Sequence, residues 1–318
     1  MKKRLMTGSI ILLVYAFVLI SARYTPYVFD IFIGVLAVMG AVEVTRVLER
    51  MKLYTNIIFI GCFPAILYIA MQIGIVNERS WVYFIAYFIA VILILFLVNF
   101  LYTIIFRKIT RREKIRYGID EVAVTNTKYA LSKCMNSSFV MVYPVLLFTS
   151  FFAINHFYDF AFVNATGLED TNLIVLFFLV FVFIVTMLTD SMAMVVGSTF
   201  KGPKLCPIIS PNKTVSGAVG GFVFGTLSGL LTYYLFTLNT VFKTMMSYLD
   251  ITWWKILIVG AVVSIIGQIG DIIASALKRT ARVKDYGTIF PGHGGVMDRV
   301  DGLIFNACAV LVCMFILL

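Results

Sequence analysis

Charge is scarce in this chain, and negative charge is scarcer than positive. Only 13% of its 318 residues are Asp, Glu, Lys or Arg, 16 acidic against 26 basic, while 61% are hydrophobic. Soluble domains are usually about 45 to 50% apolar, so a solvated globular protein is excluded and a polytopic membrane protein remains. The five cysteines (Cys62, Cys134, Cys206, Cys308, Cys313) form no C-x-x-C pair, which argues against a zinc site or a disulfide framework. No internal repeat or low-complexity tract interrupts the sequence. With so little soluble surface, the net charge of +10 does not make nucleic acid a partner.

What the chain has instead is long apolar runs, near 7–22, 27–46, 55–76, 81–106, 138–155, 172–199, 215–237, 254–275 and 302–318. A helix crosses a hydrocarbon core in about 20 residues, so the expectation is an all-α, polytopic helical membrane protein of about nine spans. The first run follows Met1-Lys2-Lys3-Arg4 and reads as a span, since no small-residue cleavage site precedes a soluble domain. A cytoplasmic N-terminus puts Arg46, Arg50 and Lys52, the Arg107 to Lys133 loop, Lys201, Lys204 and Lys213, and the stretch from Lys278 to Arg299 on the cytoplasmic side. The segment from His156 to Asn172 has three acids and no Lys or Arg, which suits the outer side. Residues 1–136 read as scaffold spans plus a basic, interfacial loop, and 137–318 as the catalytic region of one membrane domain. The basic face would attract anionic membrane lipids and polyphosphates alike.

From residue 180 onward carboxylates enter the apolar runs: Asp190, Asp271, and the pair Asp298 and Asp301. Acids at that depth are costly unless paired or metal-bound; a structural ion pair is the alternative. Asp271, Ser275, Lys278 and Arg282 are spaced to share one face of a helix leaving the membrane. The bend F-P-G-H-G-G follows, in which Pro291 and the glycines exclude a regular helix and free amides to hold phosphate oxygens beside His293. His293 reads as a substrate-binding group before an acid or base, with a structural turn bond equally open. Asp298 and Asp301, three residues apart, then begin the last run. Adjacent carboxylates with phosphates nearby suit Mg²⁺, although Asp298 alone would also serve as a helix N-cap. A second cluster, with Lys213 and Thr214 before a Gly-rich helix start, suits a phosphate at the helix N-terminus but lacks the Walker spacing. Cations, carboxylates and a membrane surface together suggest phosphoryl or nucleotidyl transfer.

The run S-x-L-K-R-x4-K-D-x-G-x2-F-P-x-H-G-G-V-x-D-R-V-D, Ser275 to Asp301, resembles the signature of the phosphatidate cytidylyltransferases, the CDP-diacylglycerol synthases. The S-P-x-K-T loop from Ser210 to Thr214, with Asp190 upstream, resembles a second block of that family. The resemblance implies CTP and phosphatidate as substrates, CDP-diacylglycerol and pyrophosphate as products, Mg²⁺ on Asp271, Asp298 and Asp301, and a second, monovalent cation such as K⁺. Lys278 would join those acids in catalysis. Lys213, Thr214, Ser210, Ser275, Arg279, Arg282, Lys284, His293, Arg299 and Asp190 would bind substrate. A homodimer is left open, and the membrane expected is a bacterial inner membrane, with the site facing the cytoplasm. The sequence departs from the family pattern at Met192, Met194, Ser198, Lys201-Gly202, Ser216 and Ala274, where the family carries other residues. The competing readings are another CTP-dependent lipid kinase and a secondary transporter using Asp190 and Asp271.

Overall fold

Apolar segments of this length can cross lipid only as helices, because a helix satisfies its own backbone polar groups. The computed structural model describes residues 2–77, 81–106, 126–159, 171–290, 292 and 294–317; His293 and most of the basic loop, 107–125, lie outside them. In chain order the helices are α1 (Lys2–Ala22), α2 (Pro26–Arg50), α3 (Ile57–Asn77), α4 (Trp81–Ile105), α5 (Asn126–Val140), α6 (Leu147–Asn155), α7 (Thr171–Phe200), α8 (Val215–Thr237), α9 (Thr240–Tyr248), α10 (Trp253–Thr280) and α11 (Met297–Leu317). Eight described segments are long and apolar enough to span, and Gly8–Ala22 is a shorter apolar helix. Side chains such as Phe17, Ile31, Leu93, Leu231 and Ile316 point outward, as lipid-facing residues should. The protein is a polytopic helical membrane protein.

One expected span is longer than its apolar run suggests. The segment read as 138–155 is continuous with α5, so that Thr127–Asn155 forms one spanning unit, bent at a π-helical turn, Met141–Leu146, that carries Pro144. Its polar start is met by Asn56, just before α3, and by Asn99 of α4, which donates to the Cys134 carbonyl and to Ser138 Oγ. Asn56 donates to Asn99 Oδ1 at 3.1 Å and to Thr103 Oγ1 at 2.8 Å, and Ser137 Oγ accepts the Asn56 amide at 2.7 Å. At the other end of the bundle, His156 Nε2 meets buried Asp30 at 2.7 Å. Burial works against the imidazolium, but the Asp159 and Asp30 carboxylates outweigh it and raise the pKa to about 9. The ring therefore offsets the acids it touches.

Helices α7, α8, α10 and α11 pack together and carry the later carboxylates. The α7–α8 contact is a backbone-to-backbone approach: a Cβ on Gly217 would lie 2.6 Å from the Ala193 carbonyl, and one on Gly221 2.8 Å from that of Thr189. Gly221→Leu should therefore cost roughly 1 to 3 kcal/mol through overpacking. Val219→Leu, on the outward face of the same helix, should be neutral. Thermal unfolding of both variants in detergent checks the contrast. Between α7 and α8 the chain forms a small antiparallel hairpin, β1 (Lys204–Cys206) with β2 (Ser210–Thr214), a minor sheet that the all-α expectation did not contain.

Candidate active site

Where α7 and α10 end and α8 and α11 begin, their tips enclose a cleft of about 900 Å³. Each wall has a local cause. Thr214 caps α8, its Oγ1 accepting the Gly217 amide at 3.1 Å, which sets Lys213 at the helix entrance. Lys213 Nζ then lies 2.6 Å from Asp271 Oδ2 on α10. Ser275, one turn further along, donates to Asp271 Oδ1 at 3.4 Å. Asp190 projects from α7 and Asp301 from α11 into the same cleft. Among the described residues neither has a Lys or Arg partner at ion-pairing distance.

The loop before α11 is tied down by Asp298. Its Oδ1 lies 2.7 Å from Lys278 Nζ, and its Oδ2 accepts the amides of Tyr286 at 2.8 Å and Gly295 at 2.9 Å. Lys278 also sits 5.2 Å over the Tyr286 ring. The Tyr286 hydroxyl donates to the Ala274 carbonyl at 3.0 Å, and burial, then the facing Tyr143, push its phenol upward, so it stays a neutral donor.

Of the residues singled out in the sequence, Asp190, Lys213, Thr214, Asp271, Lys278, Asp298, Arg299 and Asp301 line the cleft together. Ser275 reaches it through Asp271. Ser210, Arg279, Arg282 and Lys284 do not line it. Arg279 instead pins the hairpin, Nε donating to the Ile209 carbonyl at 3.1 Å. The expected four-residue face of α10 needs correction at Arg282. The helix ends at Thr280, and Arg282 takes a left-handed φ of 56° while the Val283 amide returns to the Lys278 carbonyl, a helix-terminating turn that swings Arg282 off the face. Asp298 is more heavily engaged than its spacing suggests: its oxygens accept three hydrogen bonds, from Lys278 and from the amides of Tyr286 and Gly295, and so hold that lysine and the loop.

Several residues of the site were not singled out beforehand. Gln268 lines the cleft, as does Asp285, which belongs to the signature run but has no role assigned from the sequence, and Glu43 of α2 reaches the first turn of α11. Gln268 lies three residues before Asp271, a helical spacing that was available in the sequence; Glu43 had no such signal. The departures from the family pattern sort by place. Met194, Ser198, Lys201 and Gly202 line the cleft. Ser216 bonds the Lys201 carbonyl, and Ala274 is wholly buried and outside the cleft lining.

The sequence model of the cytidylyltransferase family matches residues 2–317. The chain belongs to this family. Curated relatives are named phosphatidate cytidylyltransferase. The one from Staphylococcus saprophyticus is 40% identical over 132 residues, 41% of this chain and 46% of the relative. That from Brucella abortus is 41% identical over 137 residues, 43% of this chain and 46% of the relative. The matched stretch thus spans a little under half the length of these curated relatives. Neither the lipid-kinase nor the transporter reading finds support among them. The cleft of this family member gathers cations and carboxylates at the ends of spanning helices, Asp271 and Asp298 paired with Lys213 and Lys278, and Asp190 and Asp301 without a Lys or Arg partner among the described residues.

Among the described residues, no three His, Cys, Asp or Glu side chains are gathered closely enough to hold a metal unaided. Mg²⁺ commonly keeps waters and substrate phosphates in its shell and takes only one or two protein carboxylates. Asp271 and Asp301, with Asp190 beside them, fit that donor set. Asp298 does not.

Proposed function

We propose that the protein is a CTP:phosphatidate cytidylyltransferase that makes CDP-diacylglycerol and pyrophosphate for phospholipid synthesis in a bacterial inner membrane, with its site on the cytoplasmic side. The observation that carries the reading is the single cleft in which Asp190, Asp271 and Asp301 face Lys213, Lys278 and Arg299 at the ends of spanning helices. The basic loops next to these ends support the orientation.

CTP and phosphatidate are both anions and repel each other. In this reading Lys213 and Arg299 hold the triphosphate, and Lys278, oriented by Asp298, meets the phosphate that reacts. A phosphatidate oxygen attacks the α-phosphorus in line as pyrophosphate leaves; the attacking oxygen is already ionised, so no side chain need remove a proton. Asp271 and Asp301 are the carboxylates assigned to Mg²⁺, with Asp190 supporting them; bound there, the ion would offset charge on the triphosphate and the leaving group. A monovalent cation belongs to the same proposal, since Asp190 and Asp301 have no cationic partner among the described residues. Lys213 is paired with Asp271, so it must exchange that carboxylate for phosphate as substrate enters.

Purified protein given labelled CTP, phosphatidate and Mg²⁺ should place label from the α-phosphate in a CDP-lipid and release pyrophosphate in equal amount. Chelation with EDTA should remove at least about 99% of the rate, and added Mg²⁺ should restore it. Transfer of the γ-phosphate alone would overturn the reading in favour of a kinase.

A further inference from the structure

Glu43 lies in α2, in the half of the chain read as scaffold, yet it is completely buried. Its two carboxylate oxygens accept separate amides, Oε1 that of Val296 at 3.0 Å and Oε2 that of Met297 at 2.9 Å. These are donors at the start of α11, which have no partner inside the helix. Such donors are usually met by a side chain a few residues upstream. Here the acceptor comes from 253 residues away. Space is left for it, since a Cβ on either Gly287 or Gly295 would run into the Glu43 carboxylate. Among the described residues no Lys or Arg forms an ion pair with Glu43. A buried carboxylate inside a spanning helix is costly, and this one is compensated by two amides and by the positive end of α11.

We propose that Glu43 is a positioning residue for the active site, acting through the first turn of α11. Met297 is followed directly by Asp298, whose carboxylate holds Lys278 and the amides of Tyr286 and Gly295. Asp301 follows one turn later. Clamping the amides of Val296 and Met297 therefore fixes, in one place, the helix that presents Asp301 and the loop that orients Lys278. Displacements of about 1 Å at reacting groups can cost 10²-fold in rate. Both oxygens are needed as acceptors. A glutamine at this position would keep one bond and set an N–H against the other amide.

The kinetic part of this inference rests on the proposed reaction, whereas the clamp itself can be read without turnover. Glu43→Gln in the full chain should raise hydrogen exchange in peptides covering Val296 and Met297 by about tenfold or more, with the remaining helices unchanged. It should lower kcat/KM for CTP by about tenfold or more, kcat falling through Lys278 and Asp301 and KM rising through Arg299, whose amide bonds the Val296 carbonyl in the clamped turn. Unchanged exchange at these amides overturns the clamp, and a parental kcat per folded molecule overturns the positioning role even if the melting temperature falls. If Glu43→Gln does not fold, Gly287→Ala, which crowds the carboxylate without removing it, should lower kcat in the same way, and a parental kcat there overturns the role. Should the parent protein make no CDP-lipid, the reaction is wrong, and the exchange experiment alone decides the clamp.

Discussion

Asp301→Asn is expected to cut turnover at least about 100-fold while leaving the protein folded. Size is unchanged, and the hydrogen bond from the Gly302 amide to Asp301 Oδ1, 2.9 Å, can be kept by the asparagine oxygen. What is lost is a negative charge that has no Lys or Arg partner among the described residues and shares the cleft with Asp190 and Asp271. Replacing one of three acids that share the cleft removes a buried carboxyl group that has no cationic partner among the described residues and is costly in the substrate-free protein. The unfolding midpoint should therefore stay level or rise, the opposite of the usual result for a polar substitution in a packed site. Initial rates with labelled CTP, set beside thermal unfolding, check both halves. A rate within about threefold of the parent would exclude Asp301 as a required metal ligand.

The contrast between Asp301 and Asp298 also shows what could be read from the chain and what could not. Apolar run lengths located the spans, and the polar stretch from Ser275 to Asp301 marked the place where the cleft forms. Helical spacing correctly put Asp271, Ser275 and Lys278 on one side of α10. It wrongly extended that face to Arg282, because the helix stops at Thr280 and Arg282 takes a left-handed turn although it is neither glycine nor asparagine, and such a stop carries no strong sequence signal. The start of the Thr127–Asn155 span was hidden for a related reason. Its polar residues look solvated until Asn56 and Asn99 are seen beside them. Glu43 is the extreme case, a lone acid in an apolar helix whose partners are two backbone amides, and backbone amides leave no trace in the identity of a residue. Carboxylate spacing made Asp298 and Asp301 look equivalent. Only the bonds to Lys278, Tyr286 and Gly295 separate Asp298, which holds the loop, from Asp301, which has no Lys or Arg partner among the described residues.

The buried pair Lys278–Asp298 gives the second large effect, and one in which stability and activity should come apart. The two side chains are only 11% and 3% exposed. Lys278→Met strands the Asp298 carboxylate with its two amides alone, a loss of about 3 to 5 kcal/mol by analogy with other broken buried pairs. It also removes the cation assigned to the reacting phosphate, at an expected cost of 10²- to 10³-fold in kcat/KM. Asp298→Asn fails differently. Its oxygen can still take the amides of Tyr286 and Gly295, but its NH₂ then faces the lysine ammonium, so Lys278 loses its anchor and turnover falls while the loop stays in place. In the double variant Lys278→Met/Asp298→Asn no charge is left unpaired. Its unfolding free energy should recover by at least about 1 kcal/mol relative to Lys278→Met, a non-additivity expected of residues in contact. Turnover should not recover with it, because the cation is still missing. Chemical denaturation and steady-state rates on the three variants decide the point: a double variant that regains both would reduce Lys278 to a structural counter-ion, whereas recovered stability with turnover still 100-fold down would assign it to the substrate.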